Sequence, residues 1–341
     1  MRKLLGLLPL LVALGLLVSA CGGGNSAVTP NDAAFWQVTL RQADVSPVLV
    51  NRALAVGQNR VQVGLLDRNE TPILGARVRF QLYRLGGPPA LLDEADARFV
   101  SLERGFVDEE RHEHVHLGES GVYVANFSFD SPGTYGLALS GTLPDGRRFG
   151  PLPYQFNVLE RTPWPMTGDP APASRQPTLS QVRDIQELTS DLDPIPDFYT
   201  KTVAEAVSSG HPTVVAFTTP AFCQSQLCGP VLDSVVKPLY ERYRGQVNFI
   251  HIEPYRLGEA REGIGLCPVP VFNREAARQG QGLGRCPPVP PEQLPPPAES
   301  WNLDTEPWVF VIDRQGRIAA GFEGIVAADE VEAALRAALS R

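Results

Sequence analysis

The chain has 341 residues, of which 43% are hydrophobic and 20% are charged, and its formal net charge is −8 at pH 7. This composition is typical of an ordered globular protein long enough for two hydrophobic cores, and it excludes a largely disordered chain. The acidic balance, without a cluster of lysine and arginine, argues against nucleic acid as a partner.

Residues 1–20 have the features of a secretory signal peptide. Arg2 and Lys3 supply positive charge, residues 4–18 are almost wholly apolar, and two small residues follow. A positive start, a short apolar stretch and a small-residue exit are typical of a leader that is removed on export. The apolar run is shorter than the about 20 residues that a membrane-spanning helix needs. The sequence therefore predicts an exported protein that is cut before Cys21.

The residues around Cys21 indicate a lipid anchor. The run Val18-Ser19-Ala20-Cys21 resembles the bacterial lipobox, whose cysteine receives a diacylglyceryl thioether after export. Glycine-rich residues 21–33 then form a flexible tether. An incidental cysteine behind an ordinary signal peptide, or an uncleaved anchor, is the alternative. Lipidation predicts a protein anchored in the bacterial cell membrane or outer membrane and facing the periplasm or the exterior.

Residues 34–160 show the pattern of an all-β domain. Apolar and polar residues alternate over 78–82, 122–129, 135–139 and 154–158, with turn signals between these runs. Short strands of this period and spacing are typical of a β-sandwich of the immunoglobulin-like type. Such a domain serves as a spacer or as a binding surface, and the fold alone does not decide which.

Three of the five histidines, His112, His114 and His116, lie close together in this range. On a strand all three would face one side, and two of them could share a metal ion with a third ligand from elsewhere. Same-face neighbours are about 6.6–7 Å apart, so all three on one ion would be strained. An ordinary polar face is the favoured interpretation and a metal site is the alternative, so no metal or cofactor is predicted.

The character of the sequence changes at residue 161. Seven prolines lie within residues 161–196, which predicts a semi-extended linker. Beyond it, apolar runs at 213–217, 247–252 and 308–312 predict buried strands, with amphipathic helices between and after them. This order predicts a central sheet flanked by helices in residues 197–341.

Cys223 and Cys228 carry the clearest chemistry in the sequence. They lie in the loop after a predicted buried strand and at the start of a predicted helix. Backbone N–H groups and the helix dipole at such a position stabilise a thiolate, which is the reactive form of cysteine. One cysteine near the surface and a second one turn deeper can cycle between a dithiol and a disulfide.

Residues 197–341 resemble a thioredoxin-like domain. The matching features are the unit of strand, cysteine loop and helix, the run Glu306-Pro307-Trp308 before a strand, and the segment that continues to Ile318. The resemblance implies that Pro307 is a cis-proline facing the cysteine pair. With the lipobox and the sandwich, the whole chain is similar to bacterial lipoproteins that end in a thioredoxin-like domain.

Three features depart from the family pattern. Four residues separate the two cysteines instead of two, Phe222 stands in place of a tryptophan, and Ala216 stands where a buried acid is often found. Alignment to the end of the family's helix gives Cys223 the role of nucleophile and Cys228 that of resolving partner. The resemblance thus predicts a thiol–disulfide oxidoreductase whose partners are protein thiols or disulfides at the membrane surface.

Alternatives remain for both cysteine pairs. Cys223 and Cys228 could form a fixed disulfide in a redox-silent binding scaffold, or serve a copper- or other metal-handling lipoprotein, although no third ligand is evident. Cys267 and Cys286 lie in a Pro- and Gly-rich insertion at residues 257–300. Since neither adjoins a predicted helix start, a structural disulfide is predicted for them, and a second redox relay is the alternative.

Overall fold

The computed structural model describes residues 28–38 and 44–340. The predicted signal peptide and the predicted lipidation site, Cys21, lie outside these residues. None of the helices in the described ranges is both long enough and apolar enough to cross a bilayer.

The first half of the chain forms a single sheet of eight strands. They are β1 (Ser46–Leu49), β2 (Leu54–Ala55), β3 (Gly57–Leu66), β4 (Arg77–Arg84), β5 (Ala90–Asp108), β6 (Glu113–Phe129), β7 (Gly133–Thr142) and β8 (Arg148–Leu159). Their order is β1-β3-β6-β5-β4-β7-β8-β2, and the sheet curls into a half-barrel. All neighbours are antiparallel except β2 and β8. The four runs of alternating residues lie within β4, β6, β7 and β8.

The predicted fold class, an immunoglobulin-like sandwich followed by a thioredoxin-like domain, is wrong. The physical reason is β5, a strand of 19 residues that the alternation pattern did not reveal. Its first part, residues 90–97, pairs with β4, and its second part, residues 98–108, pairs with β6. Because one strand takes part in both pairings, strands that would face each other in a sandwich are joined edge to edge in one curled sheet.

The second half contains a four-stranded mixed sheet of order β10-β9-β13-β14, in which β9 and β10 are parallel, and a two-stranded sheet. The strands are β9 (Thr213–Phe217), β10 (Asn248–Ile252), β11 (Gly265–Leu266), β12 (Leu283–Gly284), β13 (Trp308–Ile312) and β14 (Ile318–Glu323). The helices are α1 (Val203–Val207), α2 (Cys228–Val231), α3 (Lys237–Tyr243), α4 (Leu257–Arg261), α5 (Arg274–Gln279) and α6 (Ala328–Ser340), and a π-helical turn at Leu232–Val236 joins α2 to α3. Short 3-10 helices lie at Ala33–Gln37, Leu179–Gln181, Ile185–Glu187, Pro196–Tyr199, Pro291–Gln293 and Pro297–Glu299.

One of the hydrophobic cores is shared by the two halves, and each half also has a core of its own. Alternate residues of β9 and β13 face this shared core. The helical segment from α2 to α3 and helix α6 cover it. The long strands β5 and β6 contribute side chains to the same cluster, so the first half cannot separate from the second without exposing apolar surface. The buried residues that β5 and β6 add to the shared core are Val100, Leu102, Val122 and Val124.

Two forked ion pairs fix the start of α6 on the large sheet. Arg60 in β3 donates to both carboxylate oxygens of Glu330 at 2.8 and 2.9 Å, and the two side chains are only 11% and 16% exposed. Arg98 in β5 donates to both oxygens of Asp329 at 2.9 Å. Both carboxylates lie in the first turn of α6, where the helix dipole favours negative charge.

Residues 161–196, for which the sequence predicts a linker, pack against the second half of the chain. Trp164 is buried beside Trp308, with ring centroids 5.4 Å apart. Thr189, Ser190 and Asp191 are buried as well. The segment therefore contributes to the core of the second half and supplies buried polar groups near the cysteine loop.

We expect Leu102→Ala to destabilise both halves together, by roughly 2 to 4 kcal/mol, because it leaves a cavity in the shared core. Circular dichroism reports mainly on the large sheet, and three of the four tryptophans report on the second half. Both signals should follow one unfolding transition, shifted to the same lower denaturant concentration. Leu92→Ala is the control, since Leu92 lies on the same strand and is 51% exposed. Two separate transitions, with only one shifted, would contradict the shared core.

Candidate functional site

Cys223 and Cys228 form a disulfide with Cα atoms 5.9 Å apart. The loop that carries them leaves the end of β9, and Cys228 is the first residue of α2. Cys223 is 7% exposed, whereas Cys228 is 0% exposed. The backbone amide of Cys228 donates to Cys223 Sγ at 3.2 Å. The more accessible sulfur is therefore also the one that the helix start stabilises.

The segment before β13 lies directly beside this disulfide. Ser225 Oγ is 3.2 Å from Cys223 Sγ and donates to the carbonyl oxygen of Glu306 at 3.4 Å. The peptide bond between Glu306 and Pro307 is cis. Pro307 itself is buried at the start of β13.

Glu306 is a site residue that the sequence reasoning did not identify. One of its carboxylate oxygens and the two sulfurs of Cys223 and Cys228 all lie within 4.8 Å of one another. Tyr255 Oη donates to Glu306 Oε2 at 2.7 Å. Burial raises the pKa of Glu306, while hydrogen bonds from Tyr255 and the Gln224 backbone oppose that rise. Its position just before Pro307, which the family resemblance already placed at the cysteines, was the one available signal.

A second buried carboxyl supports the cysteine loop from behind. Glu253 Oε1 accepts from the backbone N of Ser190 at 2.6 Å and from its hydroxyl at 2.8 Å. The Ser190 hydroxyl oxygen in turn accepts from the backbone N of Ala221, two residues before Cys223, at 3.1 Å. Burial raises the pKa of Glu253 to about 7. The chain from Glu253 through Ser190 thus holds the loop in place.

His251 is a packed histidine of β10. Tyr199 Oη lies 2.6 Å from its Nδ1, and the Thr218 carbonyl oxygen lies 2.9 Å from its Nε2. Burial lowers the pKa of His251 to about 4, so the ring is neutral near pH 7. Its Nε2–H donates to Thr218 and its Nδ1 accepts from Tyr199. Both nitrogens are occupied in the structure.

Strand β5 holds the cysteine loop from the side of the large sheet. The backbone N of Gly105 donates to the Gln226 carbonyl at 2.8 Å, and the backbone N of Val107 donates to the Pro220 carbonyl at 3.0 Å. A Cβ on Gly105 would lie 2.5 Å from the Val115 carbonyl oxygen, so only glycine fits at this point. These two hydrogen bonds therefore hold the loop shortly before Cys223 and shortly before Cys228.

A cleft of 430 Å³ opens beside the cysteine loop. Its walls are the loop itself, the segment before β13 and the Cys267–Cys286 insertion, and both apolar and polar residues line it. The residues that line it are Gln224, Ser225, Tyr255, Leu266, Pro268, Phe272, Asn273, Ala276, Gln281, Gly282, Leu283, Leu303, Asp304, Thr305 and Glu306.

Cys267 and Cys286 also form a disulfide, with Cα atoms 5.2 Å apart and 19 positions apart in sequence. Cys267 is 0% exposed and Cys286 is 9% exposed. The bridge closes the segment that contains α5 and β12, and this segment forms one wall of the cleft.

The three clustered histidines lie in three different surroundings. His112 lies in the turn before β6 with a positive φ of 53°, so it does not continue the strand. His114 Nε2 is 3.5 Å from a carboxylate oxygen of Asp193. His116 Nδ1 is 3.0 Å from Glu103. The structure therefore pairs the two strand histidines with separate acidic side chains.

Comparison with known proteins gives no family assignment. No protein-family model and no curated protein matches the sequence. Among solved structures, a family 123 glycoside hydrolase from Clostridium perfringens is similar over 33% of this chain, with 13% identity and a TM-score of 0.21. The chain covers 23% of that hydrolase. A likeness this low carries no argument about function.

Proposed function

We propose that this chain is a membrane-anchored, extracytoplasmic thiol–disulfide exchange protein that uses Cys223 and Cys228. The unequal exposure of the two cysteine residues carries the proposal. Cys223 is 7% exposed and precedes Gln224, which lines the cleft, and its sulfur receives the Cys228 amide at 3.2 Å, which favours a thiolate. Cys228 lies behind it, fully buried, where a partner cannot reach it but Cys223 can.

The exchange runs through a mixed disulfide. With the pair reduced, the Cys223 thiolate attacks one sulfur of a partner disulfide and the partner's other sulfur leaves as a thiolate, which takes a proton from water. The Cys228 thiolate then attacks Cys223 Sγ, which forms the internal disulfide and releases the second partner sulfur. The partner disulfide is reduced by two electrons and the cysteine pair is oxidised by two. With an oxidised pair and a partner dithiol the same steps run in reverse.

We expect the Cys228→Ser variant, reduced and mixed with glutathione disulfide, to retain glutathione on Cys223, because nothing resolves the mixed disulfide. Wild type should return to its internal disulfide, and Cys223→Ser should acquire no adduct on the buried Cys228. Intact-mass measurement after acid quenching distinguishes these products.

A redox-silent scaffold gives a different outcome. In that case the Cys223–Cys228 bond stays intact in glutathione buffers across the cellular range of potentials, and Cys228→Ser acquires no more adduct than Cys223→Ser. Either result rules out exchange at this pair.

We further propose that the Cys267–Cys286 disulfide is structural. It closes a loop of 19 positions, and the loop-entropy estimate for this length is about 3 kcal/mol. We expect the double variant Cys267→Ser with Cys286→Ser to lose about that much free energy of unfolding and to keep the glutathione reaction of Cys223. Denaturant titration and the mass assay measure the two properties. Loss of exchange in a folded double variant would instead support a relay between the pairs.

The membrane anchor rests on the leader and the lipobox-like residues up to Cys21. We expect the mature chain from a bacterial host to begin at Cys21 and to carry a lipid on that cysteine, which intact-mass and N-terminal measurement detect. Two or more acyl chains give stable anchoring where one is marginal. The Cys21→Ser chain should lack the lipid mass. An unlipidated wild-type chain that begins elsewhere overturns this proposal.

A further inference from the structure

The exchange steps given above leave open where the proton of the buried Cys228 thiol goes. A thiol must lose its proton before it attacks, and Cys228 has no exposed surface through which to lose it. Cys223 is 7% exposed, and its sulfur lies 3.2 Å from both the Cys228 amide and the Ser225 hydroxyl, which favour its ionised form. A proton acceptor for Cys228 must therefore lie inside the site.

Glu306 is placed to be that acceptor. Its carboxylate oxygen lies within 4.8 Å of both sulfurs, a separation that one bridging water spans. Its carboxyl is held in place by the Tyr255 hydroxyl at 2.7 Å and by the backbone of Gln224 in the cysteine loop. Ser225 ties the Glu306 carbonyl to the same loop. The acid and the sulfurs are thus parts of one hydrogen-bonded unit.

The charges around Glu306 favour proton sharing with a thiol. Tyr255 and the two cysteines are the ionisable groups that face its carboxyl, and Asp304 is the other ionisable residue among those that line the cleft. None of the lining residues named above is cationic. A carboxylate and a thiolate side by side repel, so the proton moves from one to the other at constant total charge. Burial, which raises the pKa of Glu306, brings it toward that of a thiol.

We propose that Glu306 accepts the proton of Cys228 through one water during resolution of the mixed disulfide. The inference rests on the proposed exchange at Cys223 and Cys228. The Cys228 S–H bond breaks and a carboxyl O–H bond forms; the Cys228 thiolate then attacks Cys223 Sγ. The proton on Glu306 then passes to the leaving sulfur where that is an alkyl thiolate, or to water where it is an aryl thiolate, so the carboxylate is regenerated and no other reactant is consumed.

A two-phase reaction tests this role. The full mature protein is reduced only at Cys223 and Cys228, as checked by mass, and mixed with one equivalent of a chromogenic aryl disulfide. The first coloured thiolate reports attack by Cys223, and the second reports attack by Cys228. We expect Glu306→Gln to slow the second phase about 100-fold near neutral pH and to leave the first phase nearly unchanged. The loss should shrink as rising pH ionises Cys228 directly.

Two further variants separate proton transfer from packing. Tyr255→Phe keeps the ring beside Phe272 but removes the hydrogen bond that favours the ionised carboxylate, so the pH profile of the second phase should move up by about one unit. Glu262→Gln removes an exposed carboxylate that lies outside the cleft, and it should change neither phase.

The outcomes separate the two proposals. If wild type shows both phases while Glu306→Gln matches it, or slows both phases equally, Glu306 is not the acceptor and exchange stands. An unmoved Tyr255→Phe profile overturns the acceptor role even where Glu306→Gln fails to fold. If wild type releases no coloured thiolate, exchange at Cys223 fails and the role of Glu306 fails with it.

Discussion

Strand β5 takes part in three interfaces at once. Its first part pairs with β4 and its second with β6, which joins eight strands in one sheet. Its Val100 and Leu102 side chains enter the shared core under the four-stranded sheet. Its backbone amides at Gly105 and Val107 bond the carbonyls of the cysteine loop. Displacing β5 would therefore expose apolar surface and leave the carbonyl groups of the loop without hydrogen-bond donors. Each of these changes would destabilise the folded state.

Hydrogen bonds from three sides set the conformation of the cysteine loop. β5 holds it on one side, the buried carboxyl of Glu253 holds it from behind through Ser190, and the segment before β13 holds it through Ser225. A loop held from three directions keeps the two sulfurs at fixed depths. This fixed depth leaves Cys223 7% exposed and Cys228 fully buried, a difference on which the proposed division of roles between attack and resolution depends.

The local parts of this site were predictable from the sequence, and the long-range parts were not. The strand at 213–217, the cysteine loop and the helix after it are neighbours in the chain, so periodicity and spacing were enough to find them. Strand β5 was missed because residues 90–97 are mostly exposed and carry charges, which hide the period of two. The fold class failed for the same reason, since it depended on where that strand pairs.

Glu306 was missed for a different reason. Its carboxyl meets the sulfurs only because β13 lies next to β9, which brings together residues about 80 positions apart. No spacing rule connects such residues. Ala216 drew attention to an acid absent from β9, whereas the structure places carboxyls at the end of β10 and before β13. Sequence reasoning identifies the chemical groups of a loop well, and tertiary contact decides which distant group joins them.

Two buried groups behind the loop respond to pH in opposite directions. Burial lowers the pKa of His251 from 6.5 to about 4, so its contribution to stability is present above 6.5 and is lost as the pH falls toward 4. Burial raises the pKa of Glu253 from 4.5 to about 7, so its contribution is present below 4.5 and is lost as the pH rises through 7.

Between about 4.5 and 6.5 the unfolded chain binds one more proton at His251 and one fewer at Glu253, so the two slopes cancel. The support behind the loop therefore stays constant over that range. If exchange runs as proposed, a change of pH in that range acts on it through Glu306 and the thiols, and not by loosening the loop that carries them.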